Sequence, residues 1–208
     1  MAAKDDAQWR LVHMQNFVNA ARKWRDWFRA ADELQQAVDL LKPQVTGWWA
    51  GVLEWEKSKE RPRKFPALGC HSIAMMLMGF AVENLCKGAL IRDGVVDIST
   101  EQLAQKGLPA AIKTHRLRTL IKAVGMPTDD KEQELLSRMT RCSEWRGRYP
   151  VNVKYDEAIH SLMVDDGKKY SASWFGEKDI ERMDALVAKL RSHVGAERSF
   201  TVSRDAAP

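Results

Sequence analysis

Between residues 20 and 55 the apolar residues follow a 4-3-4-3 spacing without a break: Ala20, Trp24, Trp27, Ala31, Leu34, Val38, Leu41, Val45, Trp48, Val52 and Trp55. An α-helix is the backbone that puts such a series on one face, because about 3.6 residues complete a turn. At a rise of about 1.5 Å per residue, a helix of this length measures about 54 Å. Pro43 lies inside the stretch but off the stripe. Its missing N–H and its ring predict a kink or a break near residues 39–42. A heptad stripe this strict suits antiparallel packing inside a bundle. It equally suits a seam between two copies, since the chain carries eight tryptophans.

Helical patterning continues through most of the chain. Residues 57–64, with Pro62 and several charges, read as an exposed loop. A second helix is predicted from about Ala67 to Arg92. It is apolar nearly all round through Met75, Met76, Leu77, Met78 and Phe80, which marks a central helix. Gly94 ends it. Ser99-Thr-Glu-Gln102 has the spacing of a capping box and starts a short helix that Gly107 and Pro109 stop. Thr114 is placed to cap a helix carrying Leu117, Leu120 and Ile121, ended by Gly125 and Pro127. Thr128 or Asp129 starts another, with Leu135, Leu136 and Met139 inward. Val151–Tyr155 alternates weakly and reads as extended. The last helix, about Glu177 to Val194, carries Ile180, Met183, Val187, Leu190 and Val194 at heptad spacing and is capped by Gly195. The expected fold is all-α, an up-and-down bundle of about five to six helices with a long, kinked N-terminal helix. Residues 1–195 form one domain and 196–208 a flexible tail.

The chain has 208 residues, enough for one domain to bury about 70% of its unfolded surface without a disulfide or metal staple. Apolar residues at 45% and charged residues at 29% exclude disordered, collagenous and disulfide-framework classes. The net charge of +5 accommodates an anionic partner without requiring one. The first residues are charged and show no secretory h-region. The longest uncharged apolar run, Ile73 to Val82, is too short to span a bilayer, so no membrane is expected. Cys70, Cys86 and Cys142 are odd in number and lack a CxxC pair. They read as buried, reduced thiols of a cytoplasmic protein rather than as zinc ligands. His13, His71, His160 and His193 show no ligand spacing. There is no GxGxxG, P-loop, HExxH or GxSxG, so neither a metal nor a cofactor is expected.

Three constellations could carry chemistry. The first is Arg141-Cys-Ser-Glu-Trp-Arg-Gly-Arg-Tyr-Pro150. Gly147 can end a helix in a left-handed conformation, and Pro150 holds Tyr149 extended. The turn then presents Arg146 and Arg148 as guanidinium forks suited to phosphate, while Tyr149 and Trp145 could stack on a base. The plainer reading is a helix end with favourable cations and an arginine pair to Glu144. The second is Glu83-Asn84-Leu-Cys-Lys87. Glu83 and Lys87 are spaced for an ion pair on the most apolar helix. They are either a polar site with Arg141 or Arg146 opposite, or a structural salt bridge. The third is His115-Arg-Leu-Arg118, inside a stretch from Lys106 to Lys122 with five Lys/Arg and no acid. It reads as an anion-binding helix start with His115 as a general base, or as a solvated face with a capping histidine. Asp165 and Asp166, near a turn at Gly167, read as solvated.

These residues resemble a family. Met-Leu-Met-Gly-Phe-Ala-Val-Glu-Asn-Leu-Cys-Lys-Gly-Ala-Leu-Ile91 is similar to the second helix of HEPN (higher eukaryote and prokaryote nucleotide-binding) domains. Thr-His115-Arg-Leu-Arg-Thr-Leu120 is similar to the following His-x-Leu-x-x-Leu helix. Trp-Arg-Gly-Arg-Tyr-Pro150 is similar to the Arg-Tyr-Pro ending of some bacterial members. The likeness spans roughly residues 67–150 and implies an α-helical bundle that dimerises around a cleft. Many members are metal-independent ribonucleases whose signature is an arginine, four to six residues and a histidine. Here the positions after Arg141 hold Arg146, Gly147 and Arg148, and those after Arg146 or Arg148 hold Val151 to Tyr155. None is histidine.

The resemblance therefore implies a non-catalytic module that binds RNA or nucleotide phosphate through Arg141, Arg146, Arg148, Tyr149 and Lys87. The same module could act as a homodimeric partner of a cognate protein in a bacterial defence or toxin–antitoxin system. Two alternatives stand beside this. One is a metal-independent endoribonuclease using His115 and the Arg146/Arg148 turn. The other is a structural interaction protein that docks through the Ala20–Trp55 stripe.

Overall fold

A computed structural model describes the backbone of residues 2–58, 69–146, 162–165, 168–171 and 175–196, and the side chains of 8–58, 69–144 and 175–196. The helices α1 (Ala2–Ala21) and α2 (Trp24–Ser58) are separate. The chain leaves the helix at Arg22 and Lys23, and Trp27 Nε1 donates to Ala21 O at 2.9 Å across the break. Ala20 therefore belongs to α1 and is exposed. The stripe on α2 starts at Trp24. Of the kink or break predicted near Pro43, the break does not occur, since α2 runs through it. Lys42, the residue before Pro43, pairs with Asp39 and with Asp184 at 2.7 Å each, which fastens this turn to a neighbouring helix.

The helix α3 (His71–Arg92) is the centre of the core. It starts later than expected, because Gly69 and Cys70 are not helical and Cys70 is left-handed at φ 48°. Residues 67 and 68 lie outside the described residues. α2 lays Phe28, Ala31, Val38 and Val45 against it, with Trp24, Leu34 and Leu41 partly buried alongside. Most of the stripe is thus core packing, while its last member, Trp55, is exposed. Gly88 permits the close approach of α2: a Cβ there would come within 2.8 Å of the Phe28 ring. By length and composition α3 could also cross a bilayer, with a mean hydropathy of 1.4 over its most apolar window. In the fold, 72% of that window is buried.

Short helices follow. α4 (Thr100–Lys106) is capped by Ser99, whose side chain accepts from Gln102 N at 3.1 Å. α5 (Ala110–Lys113) is a single turn that the periodicity did not reveal, opened by Pro109. α6 (Leu117–Ala123) is not capped by Thr114, as the spacing had suggested. Thr114 Oγ1 accepts from Arg116 N, and the Leu117 N–H goes to Thr140 Oγ1 instead, each at 3.1 Å. Thr140 belongs to α7 (Asp130–Arg141), which opens on a reciprocal capping box between Asp129 and Glu132. A π-helical turn, Cys142–Arg146, continues it.

The strands β1 (Leu162–Asp165) and β2 (Lys168–Ser171) pair antiparallel, Leu162 opposite Ser171. The last helix, α8 (Asp179–Val194), buries Ile180, Met183, Val187, Leu190 and Val194 as expected, with Leu186 besides. Gly195 ends it at φ 60°. The fold is all-α, with eight α-helices among the described residues. The expectations for Gly147, Pro150, Val151–Tyr155 and the tail beyond residue 196 lie outside the described residues.

Two buried ionic links that periodicity cannot show tie α8 to the core. Arg191 Nη2 meets Asp32 of α2 at 2.5 Å, and Arg191 Nε donates to Gln35 at 2.7 Å. Arg138 of α7 donates to Asp179 through both terminal guanidinium nitrogens, Nη1 and Nη2, at 2.5 and 3.0 Å.

Candidate functional site

Glu83 sits on the core helix α3, where an ionised carboxylate needs partners for both oxygens. It has them. Lys87 Nζ, one turn further along, donates to Oε1 at 2.6 Å. His115 Nδ1 lies 2.9 Å from Oε2. The side chains of Glu83 and Lys87 are 9% and 3% exposed, whereas that of His115 is 49% exposed. A buried cation therefore neutralises a buried anion, and the anion in turn holds one edge of a half-exposed imidazole.

The local fold explains the placement of His115. Residues 114–116 form a short non-helical link between α5 and α6. Thr114 fixes the Arg116 N–H and Thr140 fixes the start of α6, so the link cannot slide along Glu83. Because the carboxylate is acceptor-only, Nδ1 carries the hydrogen facing it. Nε2 is then the edge left for solvent or a ligand. No further polar partner of this ring occurs among the described residues.

The chain segment that carries His115 is basic. Lys106, Lys113, Arg116, Arg118 and Lys122 are all exposed. Arg118 Nε is steadied by Gln133 Oε1 at 2.5 Å. Two of these five, Arg118 and Lys122, border an open groove of about 690 Å³ along α6, lined also by Thr119, Thr128 and Gln133. Cys86 lies beside Glu83 on α3, and burial, reinforced by the Glu83 charge, pushes its thiol far up. It stays protonated and is no nucleophile. No group of three His, Cys, Asp or Glu able to hold a metal ion occurs among the described residues.

The sequence-derived candidates are distributed unevenly. Glu83 and Lys87 form the expected ion pair, but their third partner is His115 and not Arg141. Arg141 is exposed at the end of α7. Lys87, a candidate phosphate ligand, is buried and its ammonium pairs with Glu83. Asn84, next to Glu83, lines a separate apolar slot between α1, α2 and α5. Arg146 ends the π-helical turn; its side chain, that of Trp145, and Arg148 and Tyr149 altogether lie outside the described residues. Sequence reasoning missed Thr140, whose hydroxyl positions the start of α6. No local pattern points to it, because its partner is 23 residues away.

Comparison with protein families, with curated proteins and with solved structures gives no match, so the site is read from its own geometry.

Proposed function

We propose that this chain binds single-stranded RNA through its phosphate backbone on the surface around His115. The observation that carries this reading is the half-exposed His115, anchored to Glu83 within a segment that has five exposed cations and no acid. Phosphates release counterions when they meet such a surface, and this supplies most of the affinity for a polyanion. The Glu83 charge does not oppose the anion, because Lys87 compensates it inside the core. The HEPN-like resemblance implies an RNA-binding module of this kind through Arg141, Arg146, Arg148, Tyr149 and Lys87; in this reading the surface centres instead on His115, Arg116 and Arg118, with Lys87 as support beneath it.

A second reading follows from the 2.9 Å contact between Glu83 and His115. A carboxylate on Nδ1 leaves Nε2 as a fixed base, the arrangement used in acid–base catalysis. Nε2 would take the proton of an RNA 2′-hydroxyl. The 2′-oxygen would bond to phosphorus as the P–O5′ bond breaks, and water would protonate the leaving 5′-oxygen.

Gel shift with a single-stranded RNA in EDTA, between about 50 and 200 mM salt, tests both readings. Binding should fall steeply with salt. Arg116→Glu/Arg118→Glu should weaken it and flatten the salt slope by about two, one for each lost phosphate contact. RNA that stays free at the lowest salt would rule out the binding reading. Cleavage by the parent that disappears in His115→Ala would establish the second.

A further inference from the structure

One residue along α3 from the Glu83 that holds His115, Asn84 lines a slot of about 460 Å³. Its walls are Phe17 and Ala20 of α1, Trp27 and Ala30 of α2, and Ile112 of α5, and Asn84 of α3 reaches into it. We infer that this slot receives one unpaired nucleobase of the RNA whose phosphates lie around His115. The inference rests on the RNA-binding reading and names what that reading leaves open: how bases, as distinct from phosphates, are held.

Four observations support it. The walls are aromatic and small. Trp27 is fixed by the bond from its indole N–H to Ala21 O, and Phe17 is exposed, so the lining offers two aromatic rings on which a base can stack. Ala20 and Ala30 leave room that larger residues would fill. Asn84 makes no hydrogen bond among the described residues, and its amide offers a donor and an acceptor side by side. That pair matches the edge of a base, whereas an aliphatic ligand would leave the amide unanswered. The slot is also linked to the proposed phosphate surface through the chain itself. Asn84 follows Glu83 directly, and Ile112 precedes His115 by three residues, a reach of about 11 Å at most. A strand on the cations of α5 and α6 can therefore turn one base inward. At the rim, Asp26 is engaged by Arg29 at 3.6 Å, which tempers its repulsion of a phosphate chain.

The test compares a short single-stranded RNA of mixed sequence with an abasic ribose–phosphate chain of the same length. Affinities are measured for the parent, for Ala20→Trp, which fills the slot from an exposed position, and for Asn84→Leu. The parent should bind the RNA about tenfold or more tightly than the abasic chain, as one stacked base provides. Ala20→Trp should remove this preference while leaving the abasic affinity unchanged, and Asn84→Leu should reduce it several-fold. Equal affinity of the parent for both chains overturns the base slot and leaves phosphate binding standing. Failure to bind either chain overturns both. Sedimentation in which Ala20→Trp dissociates an oligomer of the free protein would assign the slot to a second copy and overturn the base assignment.

Discussion

Gly79 of the central helix lies against Ser143 of the π-helical turn: a Cβ built on Gly79 would stand 2.2 Å from Ser143 Oγ. Ser143 is fully buried and donates to Met139 O at 3.0 Å, so its hydroxyl is held in place. Gly79→Ala should cost about 1–3 kcal/mol, the range for overpacking a close-packed site. Adding Ser143→Ala should recover most of this, since the next atom, Met139 O, is 3.2 Å away. Denaturant unfolding of the two single variants and the double variant measures the coupling. Simple additivity would show that the clash is not between these two residues.

The pairing of Gly79 with Ser143 marks the border of what the sequence discloses. Apolar periodicity reports which face of a helix is buried, and the helices carrying Leu135, Leu136 and Met139 or Ile180, Met183 and Val187 were legible for that reason. So were ends set by Gly94 and Gly195, where the left-handed conformation is a local demand. Links between distant segments leave no periodic trace. Asp32 and Gln35 sit on the buried face of α2 because Arg191 reaches them from 156 or more residues away. Glu83 and His115 each stood out in their own stretch, yet only the packing of the 114–116 link on α3 joins them. Pro43 does not end α2 because a proline removes one hydrogen bond, whereas the packing of α2 along α3 and the Lys42 pairs act over many turns.

The buried pair of Glu83 and Lys87 should be strongly coupled. Lys87→Met leaves a buried carboxylate with His115 alone, and Glu83→Gln leaves a buried ammonium without a counter-charge. Each should cost about 3–5 kcal/mol. The double variant should lose far less than the sum, because neither uncompensated charge remains. Thermal unfolding of all four proteins checks this. A double variant as unstable as the sum would mean that the pair does not form.

His71 should make stability fall in acid. Its ring packs edge-on to Trp48 and Trp49 and stacks on Phe175, and its Nε2 is shielded with no hydrogen-bond partner among the described residues. Burial lowers its pKa from the ordinary value, and the nearby Asp179 charge opposes this only in part. A histidine with a lowered folded pKa binds protons more readily when unfolded. Its contribution is therefore complete above about pH 6.5 and is lost as pH falls toward the folded value. His71→Phe keeps an aromatic ring and removes the titration. Denaturation midpoints of the variant should decline less than those of the parent between about pH 7 and 5. Parallel profiles would place the acid sensitivity elsewhere.

Replacing Pro43 should stabilise the protein. Pro43 is exposed inside an unbroken helix, so its side chain contributes little packing to offset a missing N–H. Proline within a helix is about 3 kcal/mol less favourable than alanine, and alanine gives back up to about 1 kcal/mol through a freer unfolded chain. Pro43→Ala should therefore gain about 2 kcal/mol, which raises Tm by several degrees in a chain of this size. Calorimetry on the parent and on Pro43→Ala reads the effect. An unchanged or lowered Tm in Pro43→Ala would mean that α2 depends on a bend at this residue to stay seated on α3, and that the proline helps set the packing of the long helix.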